Sequence, residues 1–454
     1  MSRDPVRTLV WAVAALALSA GPAVAQQQPA PPPIRPLGPI TGVASESLAS
    51  VAAAVPVAGG RVYVNDITAR RLLLFDPELA RATVVADSTG SPEAYGSSPG
   101  TLLPFRGDSA LFISPSTLSM LVLSPEGGVA RVMAAPPSGR MGPLGLIGNI
   151  FGTPGFDARG RLAYYQPVMM VMQGPPAAGG AVNMQPPDSA LVVRFDFASR
   201  TLDTVGAIRI PRTRTTMNRN ESGMPTGVTV SAIPAATVDD WAVTSDGAIA
   251  IVRGRDYHVD WLAPAGWTST PRMAFAWERL GDDQKNALLD STAAALQVQM
   301  DSSFARQQRA LAAGGAPGRD APAAGGAGGS MTIVIGSRAD GPPGAGGGGD
   351  RPTVTRISMP RPTVARAELA DVPDYRPPFG QGAVRADAEG GLWVRTSTRV
   401  GAQPVYDVVS RQGVVVDRVQ LPPFRTIAGF GPGVVYLGVR DSVGTVHLER
   451  ARIR

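Results

Sequence analysis

The sequence contains no cysteine, and this absence excludes two kinds of structure and chemistry. No disulfide can form, so a fold in an oxidising compartment must be stabilised by its apolar core. No thiolate is available as a nucleophile or as a metal ligand. Histidine occurs only at His258 and His447, so imidazole chemistry is restricted to two positions.

Lysine is also nearly absent, with Lys285 as its only occurrence. The formal net charge of +6 therefore comes from arginine, and the arginines are scattered along the chain. Segments that bind nucleic-acid phosphates usually show runs or stripes of basic residues. We therefore expect no nucleic-acid partner. The abundance of Arg, Ala, Gly and Pro is explained by the codon bias of a GC-rich genome.

Residues 1–25 have the pattern of a secretory signal peptide. Arg3 and Arg7 precede an apolar run that ends in the small-x-small sequence AVA at 23–25. An uncleaved N-terminal anchor is the alternative, but Gly21 and Pro22 interrupt a helix just before the cleavage pattern. We expect export to the periplasm or the extracellular space, with no transmembrane segment after cleavage. Residues 26–40 are predicted to be a Pro-rich disordered spacer.

One pattern of two short strands recurs six times along the rest of the chain. Each copy begins with a Gly- or Asp-containing turn and continues as two β-branched or aromatic strands, which indicates antiparallel pairing. The copies are at 60–66 and 71–77, 107–114 and 120–128, 157–165 and 191–196, 246–253 and 258–266, 387–395 and 405–413, and 431–439 and 445–453. Such units bury their apolar faces by stacking around an axis. The sequence predicts an all-β six-bladed β-propeller over 41–454, with a β-sandwich ranked second, and segment 47–57 as a strand that closes the ring.

Two resemblances support this fold. The first copy resembles the NHL-type propeller repeat at Asp66, Arg71, Phe75 and Asp76. The whole mature chain resembles the exported bacterial six-bladed β-propeller proteins, a group related to NHL and TolB propellers and mostly without assigned activity. The segments that carry this similarity are DYHVDW at 256–261, WERLGDDQK at 277–285, VPDYRPPF at 372–379 and AEGGLWVR at 388–395. The resemblance implies a fold and a compartment.

An insertion at 279–351 separates the fourth copy from the fifth. Asp282 is a candidate helix N-cap, and an apolar stripe predicts a helix over about 282–313. The stripe consists of Leu289, Leu296, Met300, Phe304 and Leu311. We expect it to pack on the propeller side, with a lid or partner-binding helix as the alternative. Residues 314–350 are predicted to be a mobile Gly-rich linker, interrupted by an edge-forming island at 331–337.

The fourth and fifth copies carry the candidate site residues. Candidates for ligand binding are Arg253, Arg255, Asp256, Tyr257, His258, Asp260, Trp393 and Arg395. Alternate residues of a strand share a face, so Asp256, His258 and Asp260 are also candidate ligands of a divalent metal. A solvated face paired with Arg253 and Arg255 is the favoured interpretation, and it requires no cofactor.

No motif for nucleophilic catalysis or phosphate binding is present. We therefore expect an exported, monomeric binding or scaffold module of the cell envelope, whose partner is a small ligand or an envelope protein. The alternative is a metal-dependent hydrolase or lyase, similar to propeller lactonases, with its site in the central channel. Candidate channel ligands for this alternative are Asn65, Asn149, Asn183 and Glu389.

Overall fold

The computed structural model describes residues 30–88, 94–96, 98–106, 108–114, 116–136, 152–166, 171–173, 182–185, 187–219, 225–312, 362–401 and 403–454. These residues are mostly in β-strands, which form seven small sheets. The predicted signal peptide, the whole predicted linker with its island, and Asn149 lie outside the described residues. No helix in the described part of the chain has the length and hydropathy needed to cross a membrane.

Six of the sheets, here called repeat sheets 1 to 6, follow one another along the chain. Two short strands come before them in the chain. Strand β1 (Ile34–Pro36) belongs to sheet 5, and β2 (Ile40–Val43) belongs to sheet 6. Sheet 1 contains β3 (Ala53–Pro56), β4 (Val62–Asp66), β5 (Arg71–Phe75) and β6 (Ala82–Ala86). Sheet 2 contains β7 (Thr101–Pro104), β8 (Ala110–Ser114), β9 (Ser119–Leu123) and β10 (Val129–Ala134).

Sheet 3 is interrupted by strands of the seventh sheet. It contains β11 (Gly155–Phe156), β12 (Leu162–Gln166), β15 (Ser189–Asp196) and β16 (Thr201–Arg209). The seventh sheet, here called the added sheet, contains β13 (Val171–Gln173), β14 (Val182–Gln185), β17 (Thr213–Arg219), β18 (Pro225–Ala232) and β23 (Thr363–Val364). The repeat pattern did not predict this sheet, because its strands fall between the strands or sheets of the repeat.

Sheets 4 to 6 complete the series. Sheet 4 contains β19 (Asp240–Val243), β20 (Ile249–Arg253), β21 (His258–Ala263) and β22 (Gly266–Ser269). Sheet 5 contains β24 (Phe379–Ala386), β25 (Leu392–Val400), β26 (Gln403–Val409) and β27 (Val415–Gln420), with β1 at its edge. Sheet 6 contains β28 (Arg425–Gly431), β29 (Val434–Arg440) and β30 (Val446–Arg452), with β2 as its fourth strand.

The twelve strands predicted from the repeat are present, and they are the two central strands of each repeat sheet. Their side chains alternate between two neighbouring sheets, as strand geometry requires. In β4, for example, Tyr63 packs toward sheet 2, whereas Val62 and Val64 pack toward sheet 6. Both faces of β4 are therefore buried. The same burial explains why strands such as β8 and β20 are nearly continuous apolar runs.

Six apolar clusters join the repeat sheets in sequence. Each cluster contains side chains from two successive sheets, and one of them joins sheet 6 to sheet 1. Fully buried large side chains such as Phe112, Trp241 and Trp393 lie within these clusters. Each such side chain contributes about 1.5–3 kcal/mol by leaving water. The sheets therefore stabilise one another face to face, without disulfides.

The innermost strands of neighbouring sheets approach closely, and glycine permits this approach. A Cβ on Gly429 of β28 would lie 1.9 Å from the carbonyl oxygen of Ala54 in β3. Gly247, in the turn after β19, has φ +78. A Cβ there would lie 2.2 Å from the backbone nitrogen of Ala158. Any larger residue at either position would push two sheets apart.

Two predictions for residues 26–57 are wrong. Residues 34–36 are not a disordered spacer, because β1 pairs in parallel with β27 and Arg35 donates hydrogen bonds to Asp417. The strand that completes sheet 6 is β2 and not segment 47–57. Residues 53–56 of that segment instead form the innermost strand of sheet 1. The short apolar run at 47–57 suits either role, so its sequence alone did not distinguish them.

Asp66 and Arg71, which match the NHL-type repeat, form an ion pair at the end of sheet 1. The carboxylate of Asp66 accepts hydrogen bonds from the backbone N–H groups of Ala49 and Ser50. Arg71 Nη2 lies 3.3 Å from Asp66 Oδ2. The pair therefore fixes the segment that leads from β2 into sheet 1.

The predicted helix is present as α1 (Asp282–Ala312). Leu289 is buried against Ala367 and Val372, and Leu280 packs in the same cluster. Lys285 Nζ donates a hydrogen bond of 2.7 Å to Asp374. The described part of α1 therefore packs against the added sheet and residues 367–374, whereas the sequence predicted packing on the propeller side. Leu289 is the residue of the predicted stripe that this apolar cluster contains.

Candidate functional site

One cavity of about 920 Å³ is lined by residues from the innermost strands of all six repeat sheets. These strands are β3, β7, β11, β19, β24 and β28. The lining also includes the turns that follow β7, β11, β19 and β24, residues just before β3, β7 and β11, and Asn65 and Ile67. The volume is within the range of pockets that enclose small organic ligands.

Three aspartates in the lining, from sheets 3, 4 and 5, each hold a turn in place. Asp157 Oδ1 accepts hydrogen bonds from the backbone nitrogens of Arg159 and Arg161. Asp387 Oδ1 accepts from Gly391 at 2.6 Å, and from Glu389. Aspartate is favoured at these positions because its side chain bonds the backbone a few residues further on.

The same three carboxylates are also engaged by side chains. Arg161 lies 2.7 Å from Asp157 Oδ2. Asp246 accepts a hydrogen bond of 2.6 Å from Thr244 Oγ1 and forms an ion pair with Arg411. The remaining oxygen of Asp387 accepts a hydrogen bond from the indole nitrogen of Trp393 at 3.1 Å. These carboxylates therefore stabilise turns and ion pairs of the fold.

Arg385 of β24 presents a guanidinium group to the cavity in a different way. Its Nη1 donates hydrogen bonds to the carbonyl oxygens of Gly382 (3.3 Å) and Val384 (2.9 Å). No carboxylate in the described part of the chain forms an ion pair with it. Burial lowers the pKa of Arg385, and the more distant charge of Asp240 acts in the opposite direction. The cavity wall thus contains a cation whose direct hydrogen-bond partners, among the described residues, are backbone carbonyl oxygens.

Asp240, at the start of β19, is a fully buried carboxylate at the junction of sheets 4 and 5. Its Oδ2 accepts a hydrogen bond of 2.8 Å from the backbone nitrogen of Val384, and its Oδ1 accepts one of 3.0 Å from Trp241. Burial raises the pKa of Asp240 to about 6, although these hydrogen bonds and the charge of Arg385 oppose the shift. Asp240 therefore joins two innermost strands at an electrostatic cost.

Three phenylalanines give the cavity apolar walls. Phe105 and Phe156 come from sheets 2 and 3, and their ring centroids are 4.9 Å apart in an edge-to-face arrangement. Phe430 comes from sheet 6, and its ring centroid is 5.1 Å from that of Trp393. The cavity therefore combines aromatic surface with the single guanidinium of Arg385 in its wall and the exposed Arg106 and Arg159 at its mouth.

The residues that the sequence indicated on sheet 4 form a separate charged cluster. His258 Nδ1 lies 2.7 Å from Asp256, and its Nε2 lies 3.2 Å from Asp260. Arg253 bridges two carboxylates, with Nε 2.7 Å from Asp260 and Nη1 3.0 Å from Asp239. The predicted shared face of Asp256, His258 and Asp260 is therefore confirmed, as is the pairing of Arg253. The predicted pairing of Arg255 is wrong, because the arginine beside Asp256 is Arg272, at 3.4 Å. None of these residues lines the cavity.

The other indicated residues have mainly structural contacts or are exposed. Tyr257 is fully buried with φ 51, and its hydroxyl donates a 2.9 Å hydrogen bond to Asp407 of sheet 5. Burial raises the pKa of Tyr257 well above its ordinary value. Trp393 is buried behind the cavity wall, whereas Arg255 and Arg395 are exposed outside the cavity.

The candidate channel ligands within the described residues belong to different sheets. Among the described residues, no group of three or more His, Asp or Glu side chains is placed to hold a metal ion. Asn65 lines the cavity, but its amide accepts a hydrogen bond from Tyr95 and donates one to the carbonyl of Gly100. Glu389 accepts a hydrogen bond from the backbone nitrogen of Gly433, and Asn183 lies in β14 of the added sheet.

Comparisons with known proteins assign no family to the chain. No family model matches the sequence, and no curated protein matches it. Among solved structures, it is similar to a streptogramin B lyase at 10% identity over 93% of this chain and 86% of that one, with a TM-score of 0.32. It is similar to virginiamycin B lyase from Staphylococcus aureus at 9% identity over 89% and 98%, with a TM-score of 0.32.

A third similar structure is the PQQ-bound aldose sugar dehydrogenase from Streptomyces coelicolor. The identity is 13% over 93% of this chain and 99% of that one, with a TM-score of 0.36. Similarities at this level assign neither a substrate nor a reaction to the present chain.

Proposed function

We propose that the six repeat sheets are the blades of a six-bladed β-propeller. The six apolar clusters, one of which joins sheet 6 to sheet 1, support this arrangement. The innermost strands of all six sheets line one cavity, as the central channel of a propeller requires. The added sheet and α1 are then an accessory region beside the ring.

We further propose that the protein is an exported, monomeric module of the cell envelope that binds a small ligand in this cavity. The observation that carries the proposal is the cavity of about 920 Å³, with apolar walls and few polar groups free to bind. Residues 1–25 support export, and the absence of cysteine suits a periplasmic or extracellular location.

Binding without catalysis is favoured by the chemistry of the lining. Neither His258 nor His447 lines the cavity, so no imidazole is available there as a general base. The lining carboxylates are engaged in turns and ion pairs. The alternative, a metal-dependent hydrolase or lyase, requires that those pairs break when a metal ion binds.

A cavity-filling substitution tests the proposed function. Ser245 is exposed in the turn after β19 and lines the cavity, so Ser245→Trp should block it without disturbing the core. Ala198→Trp, in an exposed turn of sheet 3 outside the lining, is the matched control. Binding of benzoate, benzamide, benzylamine and glucose is measured by calorimetry and by thermal shift.

We expect at least one of these probes to bind the wild type and Ala198→Trp, and to bind Ser245→Trp weakly or not at all. Failure of all four probes to bind, or equal binding to both variants, would contradict a ligand site in the cavity. A rise in Tm with calcium or zinc that Ser245→Trp abolishes would instead support the metal-dependent alternative, because a bound ion stabilises the folded state by mass action.

A further inference from the structure

The guanidinium of Arg385 has one hydrogen-bonding edge free. Only Nη1 donates to described protein atoms, and both acceptors are carbonyl oxygens of its own strand. The edge formed by Nε and Nη2 has no hydrogen-bond partner in the described residues. Neither nitrogen is one of the fully buried atoms that lack a hydrogen bond, so the edge is open to the cavity. An edge of this shape matches the two oxygens of a carboxylate.

The acidic groups around Arg385 do not occupy that edge. Asp240 uses its two oxygens on the backbone nitrogens of Val384 and Trp241. Asp387, the carboxylate of the lining closest to Arg385 in the chain, is held by its own turn and by Trp393. A partly buried cation without a direct ion pair is costly, so an anion that binds the free edge of Arg385 recovers part of that cost.

The remaining charges and the walls narrow the ligand class. Arg106 and Arg159 add positive charge at the mouth, and neither forms an ion pair with a described carboxylate. Phe105, Phe156 and Phe430 offer apolar surface to the body of the ligand. A guanidinium edge can pair with a carboxylate or with a phosphate in the same two-point geometry. One guanidinium balances the single charge of a carboxylate but only part of the charge of a phosphate monoester, so the carboxylate is favoured.

Resting on the proposed function, we propose that the cavity binds a small organic carboxylate. Its carboxylate group forms a two-point ion pair with the Nε and Nη2 edge of Arg385, and its apolar body contacts the phenylalanine walls. The exposed arginines at the mouth raise the local concentration of anions, and this contribution is screened by salt.

The test compares the binding of carboxylates with the binding of the matching neutral amides. The protein used is the chain from which only the predicted signal peptide, residues 1–25, has been removed. Benzoate and hexanoate are titrated against benzamide and hexanamide by calorimetry. Both carboxylates should bind about tenfold or more tightly than the matching amides, because only the anion compensates Arg385. Phenyl phosphate is included as a phosphate probe and should bind more weakly than benzoate.

Two substitutions at Arg385 test whether this residue causes the preference for carboxylates. Arg385→Gln should weaken benzoate binding by about tenfold or more, and Arg385→Lys should restore only part of it, because lysine keeps the charge and loses the planar edge. Arg255→Gln removes one exposed positive charge outside the lining and should leave binding unchanged. Circular dichroism confirms that each variant is folded.

Each outcome bears on the inference. Equal binding of carboxylates and amides that Ser245→Trp abolishes would overturn the carboxylate site and leave the proposed ligand cavity intact. The absence of binding by every probe would overturn both. Tight binding of phenyl phosphate, or benzoate binding that Arg385→Gln does not weaken, would also overturn the inference.

Discussion

Asp239 and Asp240 are adjacent in the chain but belong to two regions in which charge is balanced differently. Asp239 pairs with Arg253 at 3.0 Å in the charged cluster on sheet 4. Asp240 is buried at the junction of sheets 4 and 5, where backbone nitrogens bind it and Arg385 is only a distant charge. In the first region every carboxylate has a cation, whereas in the second neither charge has a direct ionic partner.

This difference indicates which arginine is available to a ligand. Arg253 already bridges two carboxylates, so an external anion would have to displace them. Arg385 is held by carbonyl oxygens and faces the cavity. A cluster of charges in a sequence is therefore a poorer guide to a binding site than a single charge placed where its counter-ion is missing.

The largest expected effect concerns the pH dependence of Asp240. Because burial raises its folded pKa from 3.8 to about 6, the folded state binds this proton more tightly than the unfolded state. The contribution of Asp240 to the free energy of unfolding is therefore most favourable below pH about 4, where the carboxyl is protonated in both states. This contribution is lost as the pH rises toward about 6. Relative to Asp240→Asn, the free energy of unfolding of the wild type should fall by up to about 3 kcal/mol across that interval.

Urea titrations between those pH values measure this difference. Asp283→Asn, which removes an exposed carboxylate at the start of α1, controls for the change in net charge. If the free energy of unfolding changes with pH in the same way in the wild type and in Asp240→Asn, burial does not raise the pKa of Asp240. The two regions would then not differ in how they balance charge.

The second-largest expected effect concerns the charged cluster on sheet 4. Arg253→Gln leaves Asp239 and Asp260 without their guanidinium in a partly buried setting, so we expect a loss of about 2 kcal/mol in the free energy of unfolding. Arg255→Gln, at an exposed neighbour, should cost less than about 0.5 kcal/mol. Similar losses in the two variants would mean that the Arg253 network contributes little.

Arg385→Gln should have a smaller effect on stability than Arg253→Gln, within about 1 kcal/mol in either direction. The variant loses hydrogen bonds to two carbonyl oxygens but no longer buries an uncompensated charge. The same denaturation experiment checks this expectation. A loss of unfolding free energy as large as that of Arg253→Gln would indicate that Arg385 stabilises the fold, as Arg253 does, and is not kept free for a ligand.

The smallest expected effect is that of added metal on the charged cluster. Both ring nitrogens of His258 already face carboxylates, at 2.7 Å and 3.2 Å. We expect zinc and calcium to leave the Tm unchanged. A rise in Tm that His258→Gln abolishes would restore Asp256, His258 and Asp260 as metal ligands.

The sequence predicted the central strands well because burial on both faces makes them apolar runs between Gly and Asp turns. The innermost strands were harder to predict. Strand β11 has only two residues, and β24 carries Arg385 among small residues, because these strands line a cavity and need no apolar pattern. The added sheet was missed because its strands interrupt the repeat.

The cavity could not be read from spacing along the chain. Its lining comes from six sheets that extend from residue 52 to residue 430. The segment AEGGLWVR at 388–395 begins in the turn that follows Arg385. Of its two candidate residues, Trp393 packs in the core and Arg395 is exposed outside the cavity. A charged residue on a strand of small residues was the available signal.

The most direct test is a crystal structure of the chain soaked with 4-bromobenzoate, in which the anomalous signal of bromine locates the ligand. We expect bromine in the cavity between the six innermost strands, with the carboxylate on the Nε and Nη2 edge of Arg385. Bromine beside Arg253, or a ligand in the cavity whose carboxylate points away from Arg385, would contradict the proposed carboxylate site.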